Sequence, residues 1–408
     1  MSTAPTSERS LIFLLGAVQF VNVLDFMMVM PLGPDFARAL SIDPSHLGII
    51  GGSYVASASI AGIIGSFFLE QFDRRKALAW AMLGLVVGTL LGGFAKDLYS
   101  LVAARIVAGA FGGPATSLVF AIIADRVPPE RRGRAMGAVM GAFAVASTIG
   151  VPAGLELARL GTWRTPFFAV SGLGLCIAAL GIRLLPPMTG HLLPRDADEI
   201  VTSLWHLVRR PTSLLAFLAT TAMFMSMFLL VPNISPFVQL NLKFPRDSLG
   251  SLYMYGGIVS FLVTRFAGFL VDRFNAFSVA TFGCFAATAV IWSGFGSVPP
   301  LLSVPALFIL YFFAMGFRNV PVTTLMSLIP HPNERARFMS ILSSVQHMAA
   351  ACGAFISSLV LKARPDHTLD GMPTLAYLAM GFTLLMPPML WMIEKQVRQK
   401  TKIAAPTP

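Results

Sequence analysis

Residues 34–72 read PDFARALSIDPSHLGIIGGSYVASASIAGIIGSFFLEQF, and residues 236–274 read PFVQLNLKFPRDSLGSLYMYGGIVSFLVTRFAGFLVDRF. The two stretches share landmarks in one register. Pro34, Leu47-Gly48, Glu70 and Phe72 recur as Pro236, Leu249-Gly250, Asp272 and Phe274, each 202 positions on in a chain of 408. No gap is needed between them. Each stretch runs from the end of one hydrophobic segment, through a second, into a charged loop. An offset of half the chain predicts two copies of one bundle of hydrophobic helices, an arrangement that places a site between the copies.

Composition puts those bundles in a membrane. Hydrophobic residues make up 55% of the chain, charged residues only 12%, and the mean hydropathy is +0.73. A soluble domain carries about twice that charge fraction. A span needs about 20 mostly apolar residues. Twelve such stretches are read, at roughly 11–33, 47–69, 77–95, 99–123, 136–158, 165–185, 213–238, 248–270, 277–296, 302–327, 338–361 and 373–393. The expected fold is all-α and integral to the membrane, with twelve helices in two pseudo-symmetric six-helix bundles. The first apolar run is too long for a signal core and carries an acid, so no cleavable signal is expected. Cys176, Cys284 and Cys352 all fall in apolar stretches, which gives no disulfide framework.

Lys and Arg set the expected orientation. With the N-terminus inside, nineteen of the thirty basic residues fall in cytoplasmic pieces and eight on the other side. Arg105, Arg265 and Arg318 lie within spans. The bias predicts both termini in the cytoplasm of a multi-pass plasma membrane, the inner membrane of a bacterium. The net charge of +11 is then a topology signal. The basic residues lie at helix ends along the whole chain rather than in one patch, which argues against nucleic-acid binding. The organisation read is a first bundle at 1–185, a cytoplasmic linker at 186–212, a second bundle at 213–393 and a cytoplasmic tail at 394–408. In the linker, Ile200, Val201, Leu204, Leu207 and Val208 share one helical face, which predicts an amphipathic helix on the membrane surface.

Charges at membrane depth mark the candidate site. Asp25 sits a little past the middle of the first span, in QFVNVLDFMMVMPLGP. An acid at a helix centre costs about 2.5–3.5 kcal/mol, which makes function the default reading. Gln19, Asn22 and Asp25 form one stripe, expected to line a wet cavity. Asp25 either carries a proton across an access change or pairs structurally with a neighbouring helix. Arg105 lies near the outer third of the fourth span, at a depth similar to Asp25, so the two could pair; the alternative is snorkelling to the headgroups. Arg318 is central in its span and either binds an anionic or polyhydroxylated substrate or pins the helix. His347 shares a face with Ser340 and Ser344, as a proton group or as a packing residue. Arg265 is read as snorkelling, and Glu156 with Arg159 as an interfacial ion pair. Pro152, flanked by Gly150 and Gly154, predicts a bend in the fifth helix that packs closely.

The pattern as a whole resembles the major facilitator superfamily over nearly the full chain. GFLVDRFN, residues 268–275, is similar to the family's cytoplasmic-loop signature G-x-L-x-D-R-x-G-R-[RK], matched by Gly268, Leu270, Asp272 and Arg273. Asn275 stands in place of the second glycine. The first-half copy, SFFLEQFDRRK, has Ser66, Glu70, Gln71 and Asp73 at variant positions, while Arg74 and Arg75 match. The resemblance implies that Glu70, Arg74, Arg75, Gly268, Asp272 and Arg273 form a cytoplasmic gate. ARIVAGAFGG resembles the fourth-helix motif whose arginine, here Arg105, is linked to proton coupling. STIGVPAGLELARLGTWRTPFF resembles the fifth-helix antiporter motif through Gly150, Pro152 and Gly154. This version is most similar to the sugar-efflux, or arabinose-efflux-like, branch of the drug:proton antiporters.

These readings imply a monomeric secondary transporter that exports a small molecule against protons by alternating access. It would use the proton gradient and no cofactor or metal. Asp25 and Arg105 would couple the proton. Gln19, Asn22, Phe224, Met227, Tyr253, Arg318 and His347 would face substrate. The alternatives are a lysolipid or lipid-like exporter, a proton symporter, or a non-transporting receptor for which Asp25 is dispensable. No nucleotide loop or metal-spaced cluster suggests an enzyme. Along the repeat Asp25 aligns with Met227, Arg105 with Phe308 and Arg318 with Ala115. The first copy is therefore expected to handle the proton and the second to contribute more to substrate.

Overall fold

The structure is a computed structural model that describes residues 8–68, 71–189, 207–330, 334–366 and 368–404. Glu70 and most of the expected linker helix lie outside the described residues. The apolar runs form helices because a chain in hydrocarbon must satisfy its backbone polar groups internally. In chain order these are α1 (Glu8–Val29), the short α2 (Gly33–Leu40), α3 (Leu47–Phe68), α4 (Arg74–Gly93), α5 (Leu98–Arg126), α6 (Pro129–Met140), α7 (Ala142–Val145), α8 (Val151–Leu160) and α9 (Thr165–Leu184). Then come α10 (Pro211–Pro236), α11 (Leu249–Arg273), α12 (Ala276–Ile291), α13 (Val304–Ser327), α14 (Arg335–Val360), α15 (Met372–Leu384) and α16 (Met386–Ala404).

Among the described residues, eleven helical segments are long and apolar enough to cross a membrane. The sequence predicts twelve. The eleventh predicted span is present as α14, 26 residues long, but it is not one of those eleven. The last span is interrupted at Leu385, between α15 and α16, beside Pro387 and Pro388, which lack the N–H a continuous helix needs.

The repeat reappears in the backbone. Single 3₁₀ turns at Pro44–His46 and Arg246–Ser248 lead into α3 and α11, which start at Leu47 and Leu249. Asp73 accepts from the Arg75 N–H at 2.9 Å to cap α4, and Asn275 accepts from the Ser278 N–H at 2.7 Å to cap α12. The turns, the helix starts and the capping residues keep the offset of 202, while the capped amides of Arg75 and Ser278 are 203 apart. Asp73 and Asn275 both replace the signature's second glycine, and a short polar side chain there satisfies an amide that the first helical turn leaves open.

The described residues form two compact units that do not coincide with the sequence halves. The first holds α1–α9 with Val231–Gly257 and Lys362–Asp370. The second holds the described residues from Leu207 to Leu230, Ile258–Leu361 and the chain from Gly371 onward. In the first unit α3 and α5 meet through glycines: a Cβ at Gly109 would lie 2.2 Å from the Tyr54 carbonyl oxygen, and one at Gly113 2.3 Å from that of Ala58. Where the sequence predicts a bend in the fifth helix, a π-turn at Ala146–Gly150 precedes α8. Pro152 offers no N–H there, and the Val151 N–H reaches back to the Ala146 carbonyl. Gly150 lets this turn sit on Leu24 of α1, while Gly154 faces Met28 at an ordinary distance.

The first unit also gathers the ends of α10 and α11. Ser235 donates to the Pro31 carbonyl at 3.0 Å. The Asn241 side chain pairs both ways with the Leu369 backbone. Gly257 packs on Thr148, with a built Cβ 2.7 Å from its Cα. In the second unit the core includes Phe217, Met223, Cys284, Leu325 and Phe338, and the Phe217 and Phe338 rings stack at 5.5 Å. There Gly283 lets α12 touch the α13 backbone at Phe317 and Arg318.

Candidate functional site

Asp25 and Arg105 form an ion pair sealed inside the first unit, with 0% and 1% of their side chains exposed. One turn of α1 per step brings Gln19, Asn22 and Asp25 onto one face. At Asn22 and Asp25 that face meets α3, α4 and α5. Asn22 is 6% exposed and Gln19 is half-buried. The reason is packing: the glycines of α5 draw α3 in so closely that Tyr54 fills the space in front of the stripe. A Cβ at Gly112 would lie 2.4 Å from the Tyr54 hydroxyl.

Arg105 Nη1 lies 3.0 Å from each Asp25 carboxylate oxygen but is aimed as a hydrogen bond only at Oδ1. Thr89 of α4 donates to the same Oδ1 at 2.7 Å. Arg105 Nη2 also reaches the Asp25 carbonyl at 3.4 Å. Asp25 Oδ2 and Arg105 Nε have no hydrogen-bond partner among the described residues. The guanidinium sits over the Tyr54 ring, 4.5 Å from its centroid. The Tyr54 hydroxyl donates to Asn22 Oδ1 at 2.6 Å. Asn22 Nδ2 in turn donates to the Gly112 carbonyl at 2.8 Å and to Thr116 Oγ1 at 2.6 Å. Thr116 then donates to Gln19 Oε1 at 3.3 Å.

Two ions out of water each carry a desolvation penalty of several kcal/mol, balanced only by good geometry and added hydrogen bonds. This pair has Thr89, a carbonyl and an aromatic face, yet two of its polar atoms stay unsatisfied. Tyr54, Thr89 and Thr116 carried no sequence signal: hydroxyls on apolar helices usually bond their own backbone, as Thr89 also does with Leu85.

Arg318 of α13 is fully buried in the second unit. Its Nη1 donates to Ser226 Oγ and Thr383 Oγ1, each at 3.2 Å, and its Nε to Asn319 Oδ1 at 3.2 Å. Nη2 has no acceptor, and no carboxylate pairs with it, among the described residues. The other expected substrate residues divide between the units. Gln19, Asn22 and Tyr253 fall in the first, and Phe224, Met227, Arg318 and His347 in the second. Phe224, Met227, Tyr253 and His347 are half-buried, and Phe224 stacks on Phe228 at 6.4 Å.

Of the expected gate residues, Arg74 is buried and pairs through Nε with Asp125 at 3.1 Å. Arg75 is half-buried, and Asp272 and Arg273 are exposed. A Cβ at Gly268 would meet nothing within 4 Å. Glu156 and Arg159 form the expected ion pair. Arg265 is exposed over the Phe261 ring, 4.7 Å from its centroid. One cluster was not foreseen. Arg246 grips Asp35 through Nε and Nη2, and Arg38 lies 3.7 Å from the same carboxylate. A cavity of about 390 Å³ opens there, lined in part by Asp35, Arg38, Arg159, Trp163 and Arg246.

Eleven long apolar helical segments among the described residues, with an ion pair sealed inside the first unit, mark a polytopic membrane protein. The sequence profile of the Major Facilitator Superfamily matches residues 15–354, and the chain belongs to that superfamily of membrane transporters, not to an enzyme family. It is 24% identical over 258 residues to the uncharacterized MFS-type transporter YfhI of Bacillus subtilis (strain 168), covering 63% of this chain and 64% of that protein. It is 27% identical over 211 residues to the inner membrane transport protein YdhP of Escherichia coli (strain K12), covering 51% and 53%. The matched regions thus span less than two thirds of these relatives. Among solved structures, a bacterial homologue of the human lysosomal transporter Spinster, inward-facing and unoccupied, superposes with a TM-score of 0.76 at 14% identity over 96% of this chain and 98% of that one. A D-xylose–proton symporter superposes at 0.70 with 19% identity over 93% and 96%. At these identities the likeness is one of fold.

Proposed function

We propose that the chain exports a small molecule in exchange for protons by alternating access. The observation that carries this reading is the Asp25–Arg105 pair, a carboxylate and a guanidinium sealed at membrane depth with Asp25 Oδ2 left open. A proton taken up by Asp25 cancels the attraction that holds Arg105, so occupancy of the acid biases one packing of the unit over another. Energy would come from the proton gradient, with no cofactor, and the working form would be a monomer in the plasma membrane with both termini in the cytoplasm. The Lys and Arg bias supports that orientation. On it, the Asp35–Arg246 cluster lies at the outer ends of its helices. Arg318 offers the second unit a cationic contact for a drug-like, sugar or amphipathic substrate.

The test is flux in proteoliposomes under an imposed pH gradient, with D-xylose, ethidium and lysophosphatidylcholine as probes. At least one probe moves against the gradient-driven proton flow in the native protein and loses that coupling in Asp25→Asn. Unchanged gradient-driven flux in the variant rejects Asp25 as the proton carrier. Movement of the probe with the protons assigns symport instead of exchange. Absence of any gradient-driven flux across the panel goes against this reading and favours a receptor.

A further inference from the structure

Beyond Asp25 and Arg105 themselves, the buried site contains a group positioned to act in both protonation states. Tyr54 is 6% exposed and comes from α3, a helix the sequence did not connect to the site. Its ring faces the Arg105 guanidinium at 4.5 Å, and its hydroxyl is bound to Asn22 at 2.6 Å. Asn22 in turn holds two groups of α5, the Gly112 carbonyl and Thr116. Tyr54 thus touches the ion pair with its face and the α1–α5 contact with its edge.

Consider one proton arriving from water at Asp25. Oδ1 already accepts from Thr89 and Arg105, while Oδ2 has no donor among the described residues, so Oδ2 is the open acceptor. An O–H on Oδ2 then confronts Arg105 Nη1 at the present 3.0 Å, donor against donor. The carboxyl is neutral and the guanidinium has lost its anion. The ionisable groups facing this cluster among the described residues are Asp25 from α1, Arg105 from α5 and Tyr54 from α3; α4 presents the neutral Thr89. Beside the long contact of Nη2 with the Asp25 backbone carbonyl, the cation keeps the negative face of the Tyr54 ring, an interaction that strengthens when the cation is desolvated and unpaired.

We propose that Tyr54 is the positioning residue of the proton site: its ring holds Arg105 when Asp25 is protonated, and its hydroxyl transmits the resulting shift through Asn22 to α5. This rests on the reading of Asp25 as the proton carrier. Ring and hydroxyl have separate tasks, and separate variants address them. Tyr54→Phe keeps the ring and cuts the link to Asn22. Tyr54→Leu removes the ring as well.

The experiment is a pH titration of the purified full chain by infrared difference spectroscopy, following the carboxyl band that disappears in Asp25→Asn. Hydrogen exchange of the 105–118 segment is measured on the same samples. The native protein titrates in one step, and exchange in 105–118 changes with that step. In Tyr54→Leu the midpoint moves to lower pH by about one unit, the equivalent of a desolvated cation–π contact. In Tyr54→Phe the midpoint stays and exchange in 105–118 no longer follows it. A native midpoint that persists unmoved in Tyr54→Leu overturns the role of the ring. Exchange that still follows the step in Tyr54→Phe overturns the role of the hydroxyl, and this arm stands even if the leucine variant does not fold. Absence of an Asp25-dependent band in the native protein rejects the parent reading.

Discussion

Arg246 holds Asp35 with Nε 3.0 and 2.8 Å from the two carboxylate oxygens and Nη2 2.5 Å from Oδ2, across 211 residues of sequence. Both side chains are about one-fifth exposed. A forked arginine–carboxylate contact shielded to that degree is stronger than an open surface pair. It ties the turn before α11 to the short α2, within the unit that also contains the Ser235–Pro31 contact.

Asp35→Asn should loosen that end of the unit. Ser235 is fully buried, so a Ser235→Cys probe in the native background labels slowly with a membrane-impermeant maleimide. Adding Asp35→Asn raises the labelling rate about fivefold, the equivalent of about 1 kcal/mol. The exchange Asp35→Arg with Arg246→Asp returns it toward the native rate. Equal rates in all three would show that the pair does not tighten that end of the unit.

Close helix contact in the first unit depends on α5 glycines. A Cβ at Gly113 would stand 2.3 Å from the Ala58 carbonyl oxygen, whereas one at Gly62 meets nothing within 4 Å. Gly113→Ala should cost about 1–3 kcal/mol through overpacking and lower the melting temperature in detergent. Gly62→Ala should leave it nearly unchanged. Similar melting for both variants contradicts the close α3–α5 approach.

Arg318 separates stability from function. It is a fully buried cation bonded to hydroxyls and an amide, with no paired carboxylate among the described residues. Replacing a buried charge by an apolar chain of similar shape is often neutral or stabilising. Arg318→Met is therefore expected to melt at or above the native temperature while losing gradient-driven flux. Ser226→Ala with Thr383→Val leaves the cation in place with Asn319 but without the two hydroxyls that accept from Nη1, and should destabilise by about 2–3 kcal/mol. A methionine variant that transports normally would reduce Arg318 to a helix pin.

Asp97 caps α5, accepting from the Ser100 N–H at 2.7 Å in a reciprocal capping box. The Ser100 backbone N–H first, and then its hydroxyl, hold the Asp97 carboxyl below the usual carboxylate range. A folded-state value lower than the unfolded one stabilises above the unfolded titration, near pH 4, and that stability fades as pH falls through the folded one. Asp97→Ala should melt lower than the native chain at neutral pH, with the gap closing in acid. A gap independent of pH would mean that the carboxylate charge plays no part in the cap.

The repeat was legible because it is written in the backbone's own requirements. Leu47 and Leu249 begin helices, and Asp73 and Asn275 cap them, since apolar runs and short polar caps act locally. Asp25 and Arg105 could be matched by depth alone, because rise per residue along antiparallel helices is fixed. Tyr54 and Thr89 could not. Their place at the pair depends on how α3 and α4 are rotated about their axes, and that rotation is set by which glycines allow contact.

What the sequence by itself determined is a duplicated membrane bundle, its helix starts, and the depth at which charge lies. Hydropathy, capping and periodicity act over a few residues, and so they can be read from a few residues. What only the tertiary structure decided is which side chains meet. Asn22 meets Tyr54, Asp25 meets Arg105, Arg318 rests on Ser226 and Thr383, and Arg246 reaches Asp35. Each of these contacts joins residues far apart in the chain, and each depends on close packing that no local pattern encodes.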